Sequence, residues 1–197
     1  MKDLVSKQLA RSLEVLRKTI EDPSIAEALA EAGEVTAKAM RAGRKLMVAG
    51  NGGSAADAQH LAAEFVVRLT VHRPPLRAIA LTTDTSILTA AGNDFSYESI
   101  FERQVEALGQ KGDVFLAIST SGNSNNMLKA LKKARQMEIL TIGYTGNGGG
   151  AMNDLCDINV IVPSSVTVNI QEVHLVLEHI LGMIVERSYF GPEFGSM

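Results

Sequence analysis

One recurring unit restricts the fold of this chain more than anything else: a short apolar run, a polar or glycine-rich turn, then a helical stretch. Residues 45–49 (KLMVA) lead into Gly50-Asn51-Gly52-Gly53-Ser54 and a helical pattern over 55–68. Residues 77–81 (RAIAL) lead into Thr-Thr-Asp-Thr and a helical stretch over 86–91. Residues 114–118 (VFLAI) lead into STSGNS at 119–124 and a helix over 125–136. Residues 140–144 (LTIGY) lead into TGNGGG at 145–150 and a helix near Met152. A fifth run, 158–162 (INVIV), stops at Pro163, and a long helix over 169–188 closes the pattern.

Strands this uniformly apolar are buried on both faces, and strands alternating with helices build parallel sheets. The expected fold is therefore α/β: a three-layer sandwich with a five-stranded parallel sheet flanked by helices. In such sheets ligands bind beyond the carboxyl ends of the strands, where these turns lie. Two further helices precede the first strand. Leu4, Leu9, Leu13, Leu16 and Ile20 recur at mostly three- and four-residue spacing, and a second helix over 24–42 ends at Gly43. A βαβ sheet does not need them, so residues 1–43 are expected to form a helical oligomerisation segment. The expected organisation is a single domain over 1–188 and a C-terminal tail over 189–197.

Charge narrows the partners. The net charge is −3, and no basic run is present to offset a nucleic-acid backbone, so no nucleic acid is expected. Small anions stay open, because backbone N–H groups hold phosphate without net positive charge. The amphipathic start MKDLVSKQLARSLEV has no apolar leader core, and no uncharged apolar run reaches the length of a membrane span. With a single cysteine, Cys156, no internal disulfide can form, and that thiol is expected to fill the core. A cytoplasmic protein with no membrane partner is the expectation.

The stretch 119–124 sets four hydroxyls (Ser119, Thr120, Ser121, Ser124), an amide and Gly122 between a strand and a helix. Hydroxyls and free N–H groups at a helix start are the donors a phosphate dianion accepts. A helix cap alone would need one such residue, and here five of six are polar. Neither a Gly-Lys-Ser/Thr nor a GxGxxG pattern is present, so a small phosphorylated metabolite is favoured over a nucleotide. Asn51, Gly52, Gly53 and Ser54 make a second donor turn suited to sugar hydroxyls, and Asn93 and Asp94 carry groups suited to the same task. The glycine turn 146–150 reads as a close-packed connection.

The ordered set GNGGSAADAQH (50–60), Ala63-Glu64-Phe65, LTTDT (81–85), Gly92-Asn93-Asp94, STSGNS and Ile170-Gln171-Glu172 resembles the phosphoheptose isomerase family of the sugar isomerase (SIS) fold, over residues 5–188. The hydroxyl loop alone would indicate only the wider superfamily. The resemblance implies conversion of sedoheptulose 7-phosphate to D-glycero-D-manno-heptose 7-phosphate, on the way to the heptose of lipopolysaccharide. It also implies a homotetramer with active sites at subunit interfaces and one zinc per subunit. One departure stands out: Asn169 occupies a position where the family usually has Arg or Lys.

Aldose–ketose isomerisation needs a base beside the carbon and an acid or electrophile beside the oxygens. His60 and Glu64 are four apart on a predicted helix and share one face. That spacing suits two metal ligands, and it equally suits an exposed polar pair. Gln171 and His179 are eight apart on the last helix. By resemblance His60, Glu64, Gln171 and His179 are metal ligands, Gln171 and Glu64 also contact substrate, and Glu64 with His179 transfers protons. His174 reads as structural between Val173 and Leu175, and Arg68 stands one turn after Glu64, where it could orient the carboxylate or face solvent. Two rivals remain: a non-catalytic phosphosugar sensor or replication-initiator-associating protein, and another phosphosugar isomerase or etherase.

Overall fold

A computed structural model describes residues 1–191. Helices α1 (Lys2–Glu21) and α2 (Pro23–Arg41) come first, then β1 (Leu46–Gly50), α3 (Gly53–Val66), β2 (Ala78–Ala80), α4 (Thr85–Asp94) and α5 (Glu102–Leu108). They are followed by β3 (Val114–Ser119), α6 (Asn125–Gln136), β4 (Leu140–Thr145), β5 (Ile158–Ile161) and α7 (Thr167–Phe190). The break between α1 and α2 has a local cause. Asp22 accepts from the Ser24 amide at 3.0 Å, and Pro23 takes the first helical position, where no N–H is needed.

All four strand pairings are parallel, in the order β2-β1-β3-β4-β5. The apolar runs supply both helix layers at once. Leu46 and Val48 of β1 face a core shared with α2, α3 and α7, while Met47 and Ala49 face one shared with α4, α5 and α6. β1 and β3 are buried along their whole length, as the uniform sequence of central parallel strands requires. Chain order reverses between β1 and β3, and this switch opens a crevice beyond their carboxyl ends.

Cys156 is buried in the α6-side core, where loss of hydration pushes its thiol up to about 12. Among the described residues α7 is the one helix long and apolar enough to cross a membrane, but it is a core helix: Ile170, Val173, Leu177, Leu181 and Val185 are buried with the sheet.

The structure departs from the sequence reading in three places. Residues 92–113, read without an element, carry the end of α4, a 3₁₀ turn at Tyr97–Ser99 and α5. The expected helix near Met152 is a 3₁₀ segment, Asn147–Asp154, interrupted by left-handed Gly148, Gly149 and Gly150. Tyr189 and Phe190 complete α7 and pack on the core, so the helix runs into the segment read as tail; residues 192–197 of that tail lie outside the described residues.

Candidate active site

At the β1/β3 crevice the first donor turn and the hydroxyl loop are neighbours. Asn51 and Asn126 exchange amide bonds, Asn51 Nδ2 donating to Asn126 Oδ1 at 2.9 Å and Asn126 Nδ2 to Asn51 Oδ1 at 2.8 Å. The Tyr97 hydroxyl donates to the same Asn51 oxygen at 3.0 Å. Three elements are thus tied at one amide. Ser119 Oγ lies 3.1 Å from Ser124 Oγ and 3.5 Å from Ser121 Oγ, so three hydroxyls converge in a turn that is partly open to solvent. Ser124 is the N-cap residue of α6, yet its side chain makes no cap bond. The loop therefore combines clustered hydroxyls with an uncapped helix start, a suitable seat for a dianion.

The glycine turn 146–150 is a buttress for this loop. Gly122 has φ +65°, and a Cβ there would fall 1.9 Å from the Gly149 carbonyl oxygen. Met152 N donates to Gly122 O at 3.0 Å, Gly146 N to Thr120 O at 3.2 Å, and Ala151 N to Asn123 Oδ1 at 2.9 Å. The expected close-packed connection is what the structure contains.

A second group of side chains forms where α3 meets α7. His60 Nε2 is 3.0 Å from His179 Nε2 and 3.9 Å from Glu64 Oε1, with the two rings edge to face. The ligating atoms of His60, Glu64 and His179 all lie within 4.8 Å of one another. Glu64 Oε2 is buried with no hydrogen-bond partner. Two imidazoles and a carboxylate at this separation are a donor set suited to a divalent metal, so the residues present fit such an ion. The alternative of a solvated polar pair on α3 does not describe them, because His179 of another helix closes the group.

Gln171 sits elsewhere on α7. A Cβ on Gly53 would lie 2.3 Å from Gln171 Nε2, so the glycine at the start of α3 makes room for this amide. Gly53–Gln171 at one end and His60–His179 about two turns on place α3 and α7 side by side, running the same way. Ser54 is buried under the turn, and Gly52 has φ +58°. Asn93 and Asp94 occupy the last turn of α4, exposed and bonded to each other at 2.8 Å; Tyr97 links their segment to Asn51.

Two acidic groups beside this cluster, Glu178 and Asp57, are not evident from sequence. Glu178, beside His179, is fully buried with both carboxyl oxygens unpartnered; burial first, and the charge of Asp57 second, push it up to about 8. Asp57 is raised for the same leading reason, partly offset by His60. His174 is buried, donating from Nε2 to Thr145 O at 3.1 Å, and burial lowers it to about 4. Its ring is neutral, in keeping with a structural role. Arg68 lies exposed; the arginine that reaches Glu64 is Arg73, through the backbone carbonyl at 2.8 Å.

Comparisons with known proteins agree with this arrangement. The SIS domain family model matches residues 8–146. Phosphoheptose isomerase 2 of Campylobacter jejuni is 53% identical over 185 residues, covering 94% of this chain and 92% of the relative. The phosphoheptose isomerase of Clostridium acetobutylicum is 48% identical over 193 residues, covering 98% of each. Among solved structures, phosphoheptose isomerase from Neisseria gonorrhoeae superposes with a TM-score of 0.88 at 38% identity, covering 93% of this chain and 97% of that one.

Proposed function

Because the chain belongs to the SIS-domain family and, within it, to the phosphoheptose isomerases, we propose that it converts sedoheptulose 7-phosphate to D-glycero-D-manno-heptose 7-phosphate. The observation that carries the chemistry is the meeting of Glu64 and His179, with His60, across the α3/α7 seam. A protein that only sensed a phosphosugar would need the hydroxyl loop and not this group.

In the proposed reaction the 119–124 loop holds the phosphate by hydroxyls and backbone N–H groups. The turn Asn51–Ser54, Asn93, Asp94 and Gln171 bind sugar hydroxyls and set the chain's orientation. Glu64 takes the proton from C1 of the open-chain ketose as electrons move onto the carbonyl oxygen, giving an enediolate. Return of that proton to C2 and transfer between O1 and O2 through His179 complete the aldose, with no net gain or loss of atoms. His60, Glu64 and His179 would hold one zinc per subunit, with the Gln171 amide turning from Gly53 toward His179 as fourth donor. Zinc, when bound, supplies Lewis-acid polarisation at the sugar carbonyl. Ligation also lowers a carboxylate's pKa, so base duty and metal duty compete at Glu64.

The same proposal includes a homotetramer with sites at its interfaces, acting in the cytoplasm toward lipopolysaccharide heptose. Leu4, Leu9 and Leu13 of α1 are 62%, 66% and 67% exposed, an apolar face of the kind that subunit association covers. Glu64→Gln and His179→Gln test the assignment. Each is expected to lower kcat by roughly 100-fold or more, as lost general acid–base catalysis does, with unchanged circular dichroism. Near-normal turnover in either variant would remove that residue from the chemistry.

A further inference from the structure

We propose that Arg73 is a positioning residue for the catalytic pair, capping α3 at Glu64 and locking that turn to α7 through Glu186. The inference rests on the roles given above to Glu64 and His179.

The last carbonyls of a helix have no partner inside it. In α3 these include the carbonyls of Glu64 and Phe65, and the last turn carries no basic residue of its own. Arg73 arrives from the following loop, donating to Glu64 O and joining the Leu76 amide, 3.0 Å away, at Phe65 O. Its Nη2 donates to Glu64 O at 2.8 Å, and Nη1 to Phe65 O at 2.8 Å and Pro74 O at 3.0 Å. Its Nε donates to Glu186 Oε1 at 2.5 Å. Both side chains of the ion pair are 1% exposed, so solvent does not compete for them.

Glu186 lies seven residues beyond His179 on α7, two turns on and on the same face. Its Oε1 also accepts from the Leu69 amide at 3.5 Å, which draws the loop after α3 to the same point. The seam is therefore tied at its far end by Arg73–Glu186, with His60, Glu64 and His179 lying between that pair and the close approach of Gly53 and Gln171. Glu64 stands in the final turn of its helix, where ends fray unless they are capped. Opening the cap would let the Glu64 carboxylate drift relative to His179, and a misplacement of about 1 Å costs roughly 100-fold in rate. Only a guanidinium presents donors in the three directions this junction uses; a lysine ammonium is a single point charge.

Arg73→Lys and the paired replacement Arg73→Met with Glu186→Leu separate positioning from bulk stability. The lysine keeps the ion pair and loses the fork. The paired change removes both buried charges together, which leaves no charge stranded and tends to preserve stability. Turnover of sedoheptulose 7-phosphate, thermal midpoint and zinc affinity by chelator competition are measured for both, beside Glu64→Gln. The expected result is a kcat at least 10-fold lower in each, KM within about threefold, and weaker zinc binding, even where the thermal midpoint matches the parent. Parent-like kcat and zinc affinity in Arg73→Lys, or recovery of both with stability in the paired variant, would overturn the inference. If Glu64→Gln is inactive while the Arg73 variants are normal, positioning alone fails; an active Glu64→Gln refutes the underlying assignment instead.

Discussion

Replacing Glu178 by Gln should change how the stability of this protein depends on pH. In the folded chain Glu178 titrates near 8 against an ordinary 4.5, because burial penalises its charged form and Asp57 adds like charge. Between those values the folded state keeps a proton that the unfolded state has released. Each unit of displacement is about 1.36 kcal/mol. The stability linked to this group is fully present below about pH 4.5 and is lost as pH rises through 8; at pH 7 the loss is about 3 kcal/mol. His174 works in the opposite direction, with a folded value near 4 against 6.5. Its neutral ring stabilises the fold above 6.5, and that stability is lost as pH falls through 4. From 4.5 to 6.5 the two slopes cancel, giving the parent a plateau with a decline on either side. A glutamine cannot ionise, so Glu178→Gln should erase the alkaline decline and expose the His174 slope, about 1.4 kcal/mol per pH unit below 6.5. Urea unfolding, followed by circular dichroism across this range with a chelator present, reads both slopes. The variant's advantage over the parent should grow by about 3 kcal/mol between about pH 5 and pH 7.5. Parallel stability curves would refute the reasoning, since they would mean Glu178 titrates like any surface carboxyl.

Two other outcomes are expected from the site itself. Protein purified without chelator should carry close to one zinc per chain by elemental analysis, and His60→Ala should lose it, because one of three converging donors is gone. Ser119→Ala with Ser124→Ala should raise KM for the phosphorylated sugar by roughly 100-fold or more with little change in thermal midpoint, since hydrogen bonds to a charged group are worth about 1.5–3 kcal/mol each and about 1.4 kcal/mol is tenfold.

The sheet was legible because its central strands had to be apolar on both faces, and a run such as VFLAI has few other uses. STSGNS was legible as well, being a local cluster whose members lie within six positions of one another. Spacing carried less at the second group. His60 and Glu64 are one turn apart, but nothing local shows that His179 closes on them from another helix. The same limit hides Asn126, 75 positions from Asn51, and Glu186, 113 from Arg73. Arg73 reads as part of a polar loop before Pro74-Pro75, and its role appears only when two helices lie alongside it. Helix α5 escaped notice because seven residues offer barely two turns of periodicity, although Ile100, Phe101, Gln104, Val105 and Leu108 do follow it. Glu178 is the one Asp, Glu, Lys or Arg within the stretch 173–185, and sequence does not show that its carboxyl lacks partners.

Incubating the purified protein with sedoheptulose 7-phosphate and following the sugar by NMR reads the isomerisation itself. Resonances of D-glycero-D-manno-heptose 7-phosphate should grow toward an equilibrium mixture, with deuterium from solvent D₂O entering at C2 as Glu64 exchanges its proton. A ketose unchanged after prolonged incubation with zinc-loaded enzyme would contradict the proposed activity.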